Sequence, residues 1–214
     1  MQIFHRSANA IAKATIFGGI FAAGLVGWLV YQFNQSPYVT QQKVHLEQPV
    51  PFSHQHHVSG LGIDCRYCHT SVEESSFAGI PPIATCMNCH SQIWTDAPML
   101  EPIREAWRTG IPIQWERVHR LPDFVQFNHS IHVSKGIGCA SCHGEVHKMQ
   151  LTYQAAPMTM QWCVACHRHP ERQVRPRDKV FDMEWKAEDQ ERLGAQLVNE
   201  YRIQSKMNCS VCHY

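Results

Sequence analysis

The first part of the chain holds one long apolar stretch and almost no charge. No charged residue lies between Lys13 and Lys43, and residues 14–33 are almost wholly apolar. About 20 such residues are enough to span a bilayer as a helix. Because Arg6 and Lys13 precede the stretch, we expect a single-pass protein of the inner (cytoplasmic) membrane, with residues 1–13 in the cytoplasm and the rest on the periplasmic, extracytoplasmic side.

A cleavable signal peptide is the competing interpretation of this stretch. Its apolar region would be shorter and would end in a small-residue cleavage site such as A-x-A. Here the stretch runs into Trp28, Tyr31 and Phe33, and the only A-x-A string, at residues 8–10, precedes it. These features favour an uncleaved transmembrane anchor at residues 14–33.

The rest of the chain shows little regular periodicity. Residues 34–48 are polar and predict a spacer, whereas residues 49–214 contain many prolines that mark turns. One longer helix is predicted at about residues 184–205, because several apolar side chains fall near one face. They are Trp185, Leu193, Ala195, Leu197 and Tyr201. Elsewhere we expect short helices and long loops, so the predicted fold class is mainly α and irregular.

The composition disfavours two classes of protein, and the pattern of cysteines is more specific. The 214 residues carry a net charge of +1, which lacks the basic excess of nucleic-acid-binding proteins, and a 44% apolar content disfavours disorder. The chain has ten cysteines, all in C-x-x-C pairs, and a histidine follows each pair. The pairs are Cys65/Cys68, Cys86/Cys89, Cys139/Cys142, Cys163/Cys166 and Cys209/Cys212, followed by His69, His90, His143, His167 and His213.

C-x-x-C-H is the attachment motif for haem c. Two thiols bind the two vinyl groups of one porphyrin, and the next imidazole reaches the iron from the proximal side. A zinc site does not need a histidine after every second cysteine, a redox pair needs only one C-x-x-C, and disulfides need no histidines. The sequence therefore predicts five covalent haem c groups and five iron ions.

An internal repeat organises the exported part. Residues 52–59 (FSHQHHVS) align with residues 127–134 (FNHSIHVS), and two haem motifs follow each copy. We therefore expect a pentahaem domain over residues 49–214, built from dihaem units at about 49–110 and 115–180 with a fifth haem at 209–213. So small a domain has few apolar side chains for a conventional core, and the porphyrins should supply much of the buried surface.

The repeat also supplies candidates for the distal iron ligands. His54, His57, His129 and His132 form two H-x-x-H pairs, each just before a haem motif. Histidines three apart lie on one helical turn and can serve two neighbouring haems. The alternative for these residues is a solvent-facing position.

The distal ligand of the fifth iron is left open. His119 is the best candidate, and His147, Met149 and Met160 are its rivals. A methionine ligand would raise the potential of that haem, whereas paired histidines would keep it low. We expect His45, His56 and His169 to face solvent. The arginines of the second half suit haem propionates, although a solvated surface explains any one of them equally well.

The F-x-H-x-x-H-V run before C-x-x-C-H resembles the class III cytochromes c of the c3 and c7 type. That resemblance implies that His54 faces the haem at Cys65 and that His129 faces the haem at Cys139. The strings IPPIATCMNCHSQIW, VHRLPDFVQFNHSIHVSKGIGCASCHGEV and MTMQWCVACHR, with the anchor and the five motifs, resemble the pentahaem subunit of alternative complex III.

The resemblance implies an electron-relay subunit rather than an enzyme with its own catalytic residues. Its expected partners are a membrane quinol-oxidising subunit and an iron–sulfur subunit of a respiratory or photosynthetic complex. The acceptor would be a soluble cytochrome c, a blue-copper protein or a terminal oxidase. The alternative is a self-contained anchored quinol dehydrogenase that feeds a periplasmic reductase. A catalytic multihaem reductase ranks lower, because none of the five motifs has an altered proximal residue such as C-x-x-C-K.

Overall fold

The computed structural model describes residues 4–214, so the first three residues of the predicted cytoplasmic segment lie outside it. The chain divides into two compact units at the Gln42–Lys43 bond. The polypeptide is mainly helical and loop-rich, as the sequence predicted. Between residues 4 and 214 the β-structure is confined to three isolated bridges.

The first unit consists of helix α1 (Ala8–Gln35) and the short helix α2 (Pro37–Thr40). Helix α1 contains the predicted span at residues 14–33 and begins earlier, at Ala8. Within residues 4–214 it is the one helix long and apolar enough to cross a membrane, and none of its side chains is buried. These properties suit a membrane anchor, and a signal sequence shares them. Helix α2 lies in the region predicted to be a spacer.

The second unit carries eight short α-helices. They are α3 (Cys65–Cys68), α4 (Ile83–His90), α5 (Glu101–Thr109), α6 (His129–Ser134), α7 (Cys139–His143), α8 (Met160–Arg168), α9 (Gln190–Glu200) and α10 (Cys209–Cys212). A π-helical turn covers Gln55–Gly60. Four 3₁₀ turns cover Pro98–Leu100, Val146–Lys148, Pro170–Arg172 and Arg177–Lys179.

Polar N-cap residues start several of these helices. The side chains of Asp64, Asn128, Thr159 and Asp189 accept backbone N–H groups of α3, α6, α8 and α9, respectively. Such caps satisfy donors that have no partner within the helix, and each contributes about 1 kcal/mol. Helix α5 ends at Thr109 and is followed by Gly110, whose φ of 72° is the left-handed conformation that glycine adopts readily.

The apolar core of the second unit is small and split in two. One cluster is built on Val50, Leu100 and Ile103, and it includes Cys86 of the second motif among its partly buried neighbours. The other cluster is built on Val174, Leu197 and Tyr201. With so few buried side chains, the attachment helices are not packed on one continuous protein core.

The helix predicted at residues 184–205 is shorter in the structure. Helix α9 begins after the Asp189 cap and ends at Glu200, because Arg202 adopts a φ of 51°, which stops the helix. Trp185 therefore lies outside the helix. The guanidinium of Arg175 sits 5.2 Å from the centroid of its ring. Leu197 and Tyr201 are buried as the periodicity indicated.

Candidate haem sites

The five C-x-x-C-H motifs share one local design. In each motif the first cysteine lies in a short helix, and the second follows one turn later on the same helix. The histidine ends the helix or directly follows it in four of the motifs, and in α8 it is the penultimate residue. All ten cysteines are free thiols, as thioether attachment requires. This design brings the residues that would hold one haem onto a single turn.

Three distal candidates face proximal histidines at a distance that fits an iron between them. The ring centroids are 6.3 Å apart for His57 and His90, and 6.2 Å apart for His132 and His167. They are 6.4 Å apart for His129 and His143. Two imidazoles that bind one metal ion from opposite sides have centroids about 6 Å apart, because each metal–nitrogen bond is about 2.0 Å long. The arrangement therefore fits bis-histidine ligation at these three motifs.

The other ring nitrogen of these histidines is held by backbone carbonyls. Nδ1 of His57 donates to the carbonyl of Ser53 at 2.8 Å, and Nδ1 of His132 donates to that of Asn128 at 2.7 Å. Three of the proximal histidines make the same kind of hydrogen bond. Nδ1 of His69, His90 and His167 donates to the carbonyls of Gly79, Ile93 and Lys206, respectively. A carbonyl only accepts hydrogen bonds, so these contacts leave Nε2 as the nitrogen available to a metal.

His54 lies near the first motif. Its Nδ1 lies 2.9 Å from Oγ1 of Thr152. Burial lowers the pKa of His54 to about 4, and the charge of His69 is the next largest cause. His54 is therefore neutral at pH 7, which is the form that binds a metal, and His69 is the histidine that influences it most.

His119 lies beside the third motif. Its Nε2 is 3.2 Å from Nδ1 of His143, and the ring centroids are 4.4 Å apart, which is too close for an iron between them. Burial lowers the pKa of His119 to about 4 and that of His143 to about 3. The contact occupies the nitrogen that a ligand of the fifth iron would need. The assignment of His119 to that iron stays a prediction.

The rivals for the fifth site occupy different environments. His147 and Met149 are buried, and within residues 4–214 neither ring nitrogen of His147 makes a hydrogen bond. Nε2 of His147 lies 3.7 Å from a carboxylate oxygen of Glu184. Met160 is largely exposed. The proximal His213 pairs with Val125 in an isolated antiparallel bridge.

The two phenylalanines of the repeat were not assigned a role from the sequence. Phe52 contacts both His54 and His57, and Phe127 contacts both His129 and His132. The phenylalanines belong to the repeat, and this repetition was the signal available for finding them. Arg175, for which a solvated position was an equal alternative, is instead buried, and its guanidinium packs against Gly138, just before the third motif.

The chain is similar to known cytochromes over most of its length. Residues 125–214 match the family "Cytochrome c7 and related cytochrome c", and residues 32–109 match the "Class III cytochrome C family". Over 175 residues the chain is 32% identical to a protein of Nitratidesulfovibrio vulgaris (strain Hildenborough) described as "Menaquinone reductase, multiheme cytochrome c subunit". The alignment covers 72% of this chain and 80% of that relative.

Proposed function

Because this chain belongs to the class III and c7-type multihaem cytochromes c, we propose that it is a membrane-anchored pentahaem subunit that relays electrons in a quinol-linked complex. The finer assignment is to a quinol-oxidising complex of the alternative complex III type. There the chain would receive electrons from membrane quinol-oxidising and iron–sulfur subunits and pass them to a periplasmic cytochrome c or blue-copper protein.

The observation that carries this proposal is the spacing of the histidine pairs. His90, His143 and His167 each face a second imidazole at a centroid distance between 6.2 and 6.4 Å. An iron held between two imidazoles has no open position for a substrate. Sites of this kind suit electron transfer rather than chemistry on a bound molecule.

The chain's own residues hold and orient the cofactor. When bound, haem c supplies a one-electron Fe(III)/Fe(II) couple. The cysteines attach it, and the backbone carbonyls that accept from Nδ1 fix the direction of each imidazole. The phenylalanines of the repeat pack against the distal rings. These contacts would hold each imidazole in one orientation toward a bound haem.

The proposal is tested with the full chain carrying its haems and expressed without partner subunits. A menaquinol or ubiquinol analogue is added anaerobically while the reduced α-band is followed over seconds, and dithionite then gives the fully reduced signal. We expect no rapid reduction by quinol and full reduction by dithionite. Rapid reduction by quinol would contradict the relay function and support the self-contained anchored quinol dehydrogenase.

A second candidate differs in the direction of electron flow. The relative in N. vulgaris is described as part of a menaquinone reductase, and in such a complex electrons would run from a periplasmic donor to the quinone. The direction is tested in the complex purified through a tag on this chain. Reduction of its haems by quinol supports quinol oxidation, whereas rapid reduction by a reduced soluble cytochrome, followed by quinol formation, supports the reverse direction.

A further inference from the structure

The attachment motifs contact one another in an order that differs from their order in the chain. They are numbered motif 1 (65–69), motif 2 (86–90), motif 3 (139–143), motif 4 (163–167) and motif 5 (209–213). We propose that the chain holds them in one unbranched series, 2–1–3–4–5, with motifs 2 and 5 at its ends. This inference rests on the proposed function, because it takes each motif to carry a haem.

Motifs 1 and 2 are joined by a direct side-chain contact. Nδ2 of Asn88, inside motif 2, donates to the hydroxyl of Tyr67, inside motif 1, at 3.0 Å. Of the H-x-x-H pair at residues 54–57, His57 faces His90 of motif 2, and His54 lies near His69 of motif 1.

Motifs 1 and 3 are joined although the 69 residues 70–138 lie between them. The backbone N–H of His129 donates to the carbonyl of Ser76 at 3.2 Å, and its Nδ1 donates to the same oxygen at 2.9 Å. Ser76 lies in the loop that follows motif 1, whereas the ring of His129 faces motif 3. The side chains of Cys65 and Cys139 also lie close to each other.

Motif 4 continues the series from motif 3. His129 and His132 lie on one turn of α6 and face His143 and His167, respectively. The second H-x-x-H pair therefore bridges motifs 3 and 4 as the first bridges motifs 1 and 2.

Motif 5 joins the series at motif 4. Nδ1 of His167 donates to the carbonyl of Lys206 at 3.0 Å, and the hydroxyl of Ser205 donates to the carbonyl of His167 at 2.7 Å. Both contacts involve the segment that leads into motif 5.

Exposure gives an independent indication of the ends. Among the ten cysteines, only Cys89 and Cys209 are exposed, and they belong to motifs 2 and 5. Redox partners therefore reach the series at these two motifs. One electron at a time enters from a reduced partner at one end and leaves to an oxidised partner at the other, and no bond forms or breaks.

The number of neighbours of each motif can be measured through reduction potentials. His57→Met and His132→Met are matched changes, because each replaces the second histidine of one H-x-x-H pair. A thioether ligand raises the potential, so the haem at motif 2 or motif 4 takes its electron first. The negative charge of that electron acts most strongly on the nearest haems and lowers their reduction potentials.

The full-length holoprotein is titrated with dithionite while the NMR signals of individual haem methyl groups are followed. We expect His57→Met to lower the midpoint of one other haem and His132→Met to lower the midpoints of two. Two lowered midpoints in His57→Met, or one in His132→Met, would overturn the series. No quinol or partner subunit is involved, so that result would leave the relay function standing.

Two checks keep this experiment decisive. If the methionine thioether does not bind the iron, cyanide is added instead to His57→Ala and His132→Ala, where it lowers the potential of the haem at motif 2 or motif 4. The midpoints of the neighbouring haems then rise, and we expect one raised midpoint in His57→Ala and two in His132→Ala. Haem is counted first in the unsubstituted protein. A count below five per chain would contradict the pentahaem function itself.

Discussion

The ring of Phe52 stacks on the ring of His57, with centroids 4.4 Å apart and an interplanar angle of 21°. The same phenylalanine meets His54 edge-on, at 4.9 Å and 85°. Phe127 repeats both contacts, at 4.7 Å and 28° with His132 and at 4.8 Å and 87° with His129. Each phenylalanine therefore stacks on one imidazole and meets the other edge-on, and the repeat preserves this arrangement together with the histidines.

Replacing Phe52 by leucine should loosen the two rings that it holds. Leucine keeps much of the apolar volume but cannot stack, so the orientation of His57 relative to His90 should broaden. We expect the low-spin g-values of two of the five haems to shift in electron paramagnetic resonance spectra of the oxidised protein. Phe77→Leu is the control, because Phe77 is exposed and lies outside the repeat. An unchanged spectrum in Phe52→Leu would show that backbone contacts alone orient the rings.

Gly194 offers a test of packing in helix α9. Alanine normally stabilises a helix relative to glycine by up to about 1 kcal/mol. Here a Cβ would collide with the carbonyl of Glu171, so we expect Gly194→Ala to destabilise the protein by roughly 1–3 kcal/mol. The unfolding midpoint in denaturant, followed by circular dichroism, measures the change.

The control for this prediction is Asn199→Ala, on the exposed side of the same helix. Since alanine is the better helix former and Asn199 is exposed, the midpoint of this variant should rise slightly. A rise in both variants would mean that α9 does not pack closely on Pro170–Arg172.

The sequence identified the attachment motifs because their chemistry is local. Two thiols and an imidazole within five residues need no tertiary structure to be recognised. The joining of motif 1 to motif 3 could not be predicted, since it depends on His129 reaching Ser76 through the fold. The periodicity at residues 184–205 identified the buried Leu197 and Tyr201, but it extended the helix too far. The Asp189 cap and the backbone of Arg202 set its bounds instead.

The environment of a polar residue was also beyond sequence patterns. Arg175 belongs to an arginine-rich region whose members would each be explained equally well by solvent, yet it is buried beside Gly138. His119 was considered as a distal ligand for the fifth motif, and the structure places its Nε2 against His143. Both placements result from packing between segments far apart in the chain.

Asp64 should make stability depend on acid pH. Its side chain caps α3, and the hydrogen bond from Arg66 is the main cause that lowers its pKa. Near pH 4, the carboxylate of Asp64 therefore takes up a proton more readily in the unfolded chain than in the folded one. The contribution of Asp64 to stability is therefore complete above that pH and is lost as the pH falls.

Two substitutions at Asp64 separate the cap from the charge. Asparagine still accepts the N–H of Arg66, so Asp64→Asn should keep the cap and lose only the pH-dependent part of the stability. Asp64→Ala also loses the cap and should lower the free energy of unfolding by about 1 kcal/mol at pH 7. Unfolding free energies at pH 7 and pH 3 measure both effects. At pH 7 we expect the unsubstituted protein to be more stable than Asp64→Asn, and we expect this difference in unfolding free energy to shrink at pH 3. A difference that grows at pH 3 would contradict the lowered pKa of Asp64.

His56 and His57 are adjacent in sequence and differ sharply in expected role. His57 faces His90 with its Nδ1 held by Ser53, whereas His56 is exposed and stacks on Trp94 at 5.5 Å. His57→Ala should open the sixth position of one iron in five, giving a high-spin ferric signal and binding of one carbon monoxide per reduced chain. His56→Ala should leave the spectrum low-spin. High-spin iron in His56→Ala, with none in His57→Ala, would reverse the pairing with motif 2, because only a ligand leaves an open iron position when it is removed.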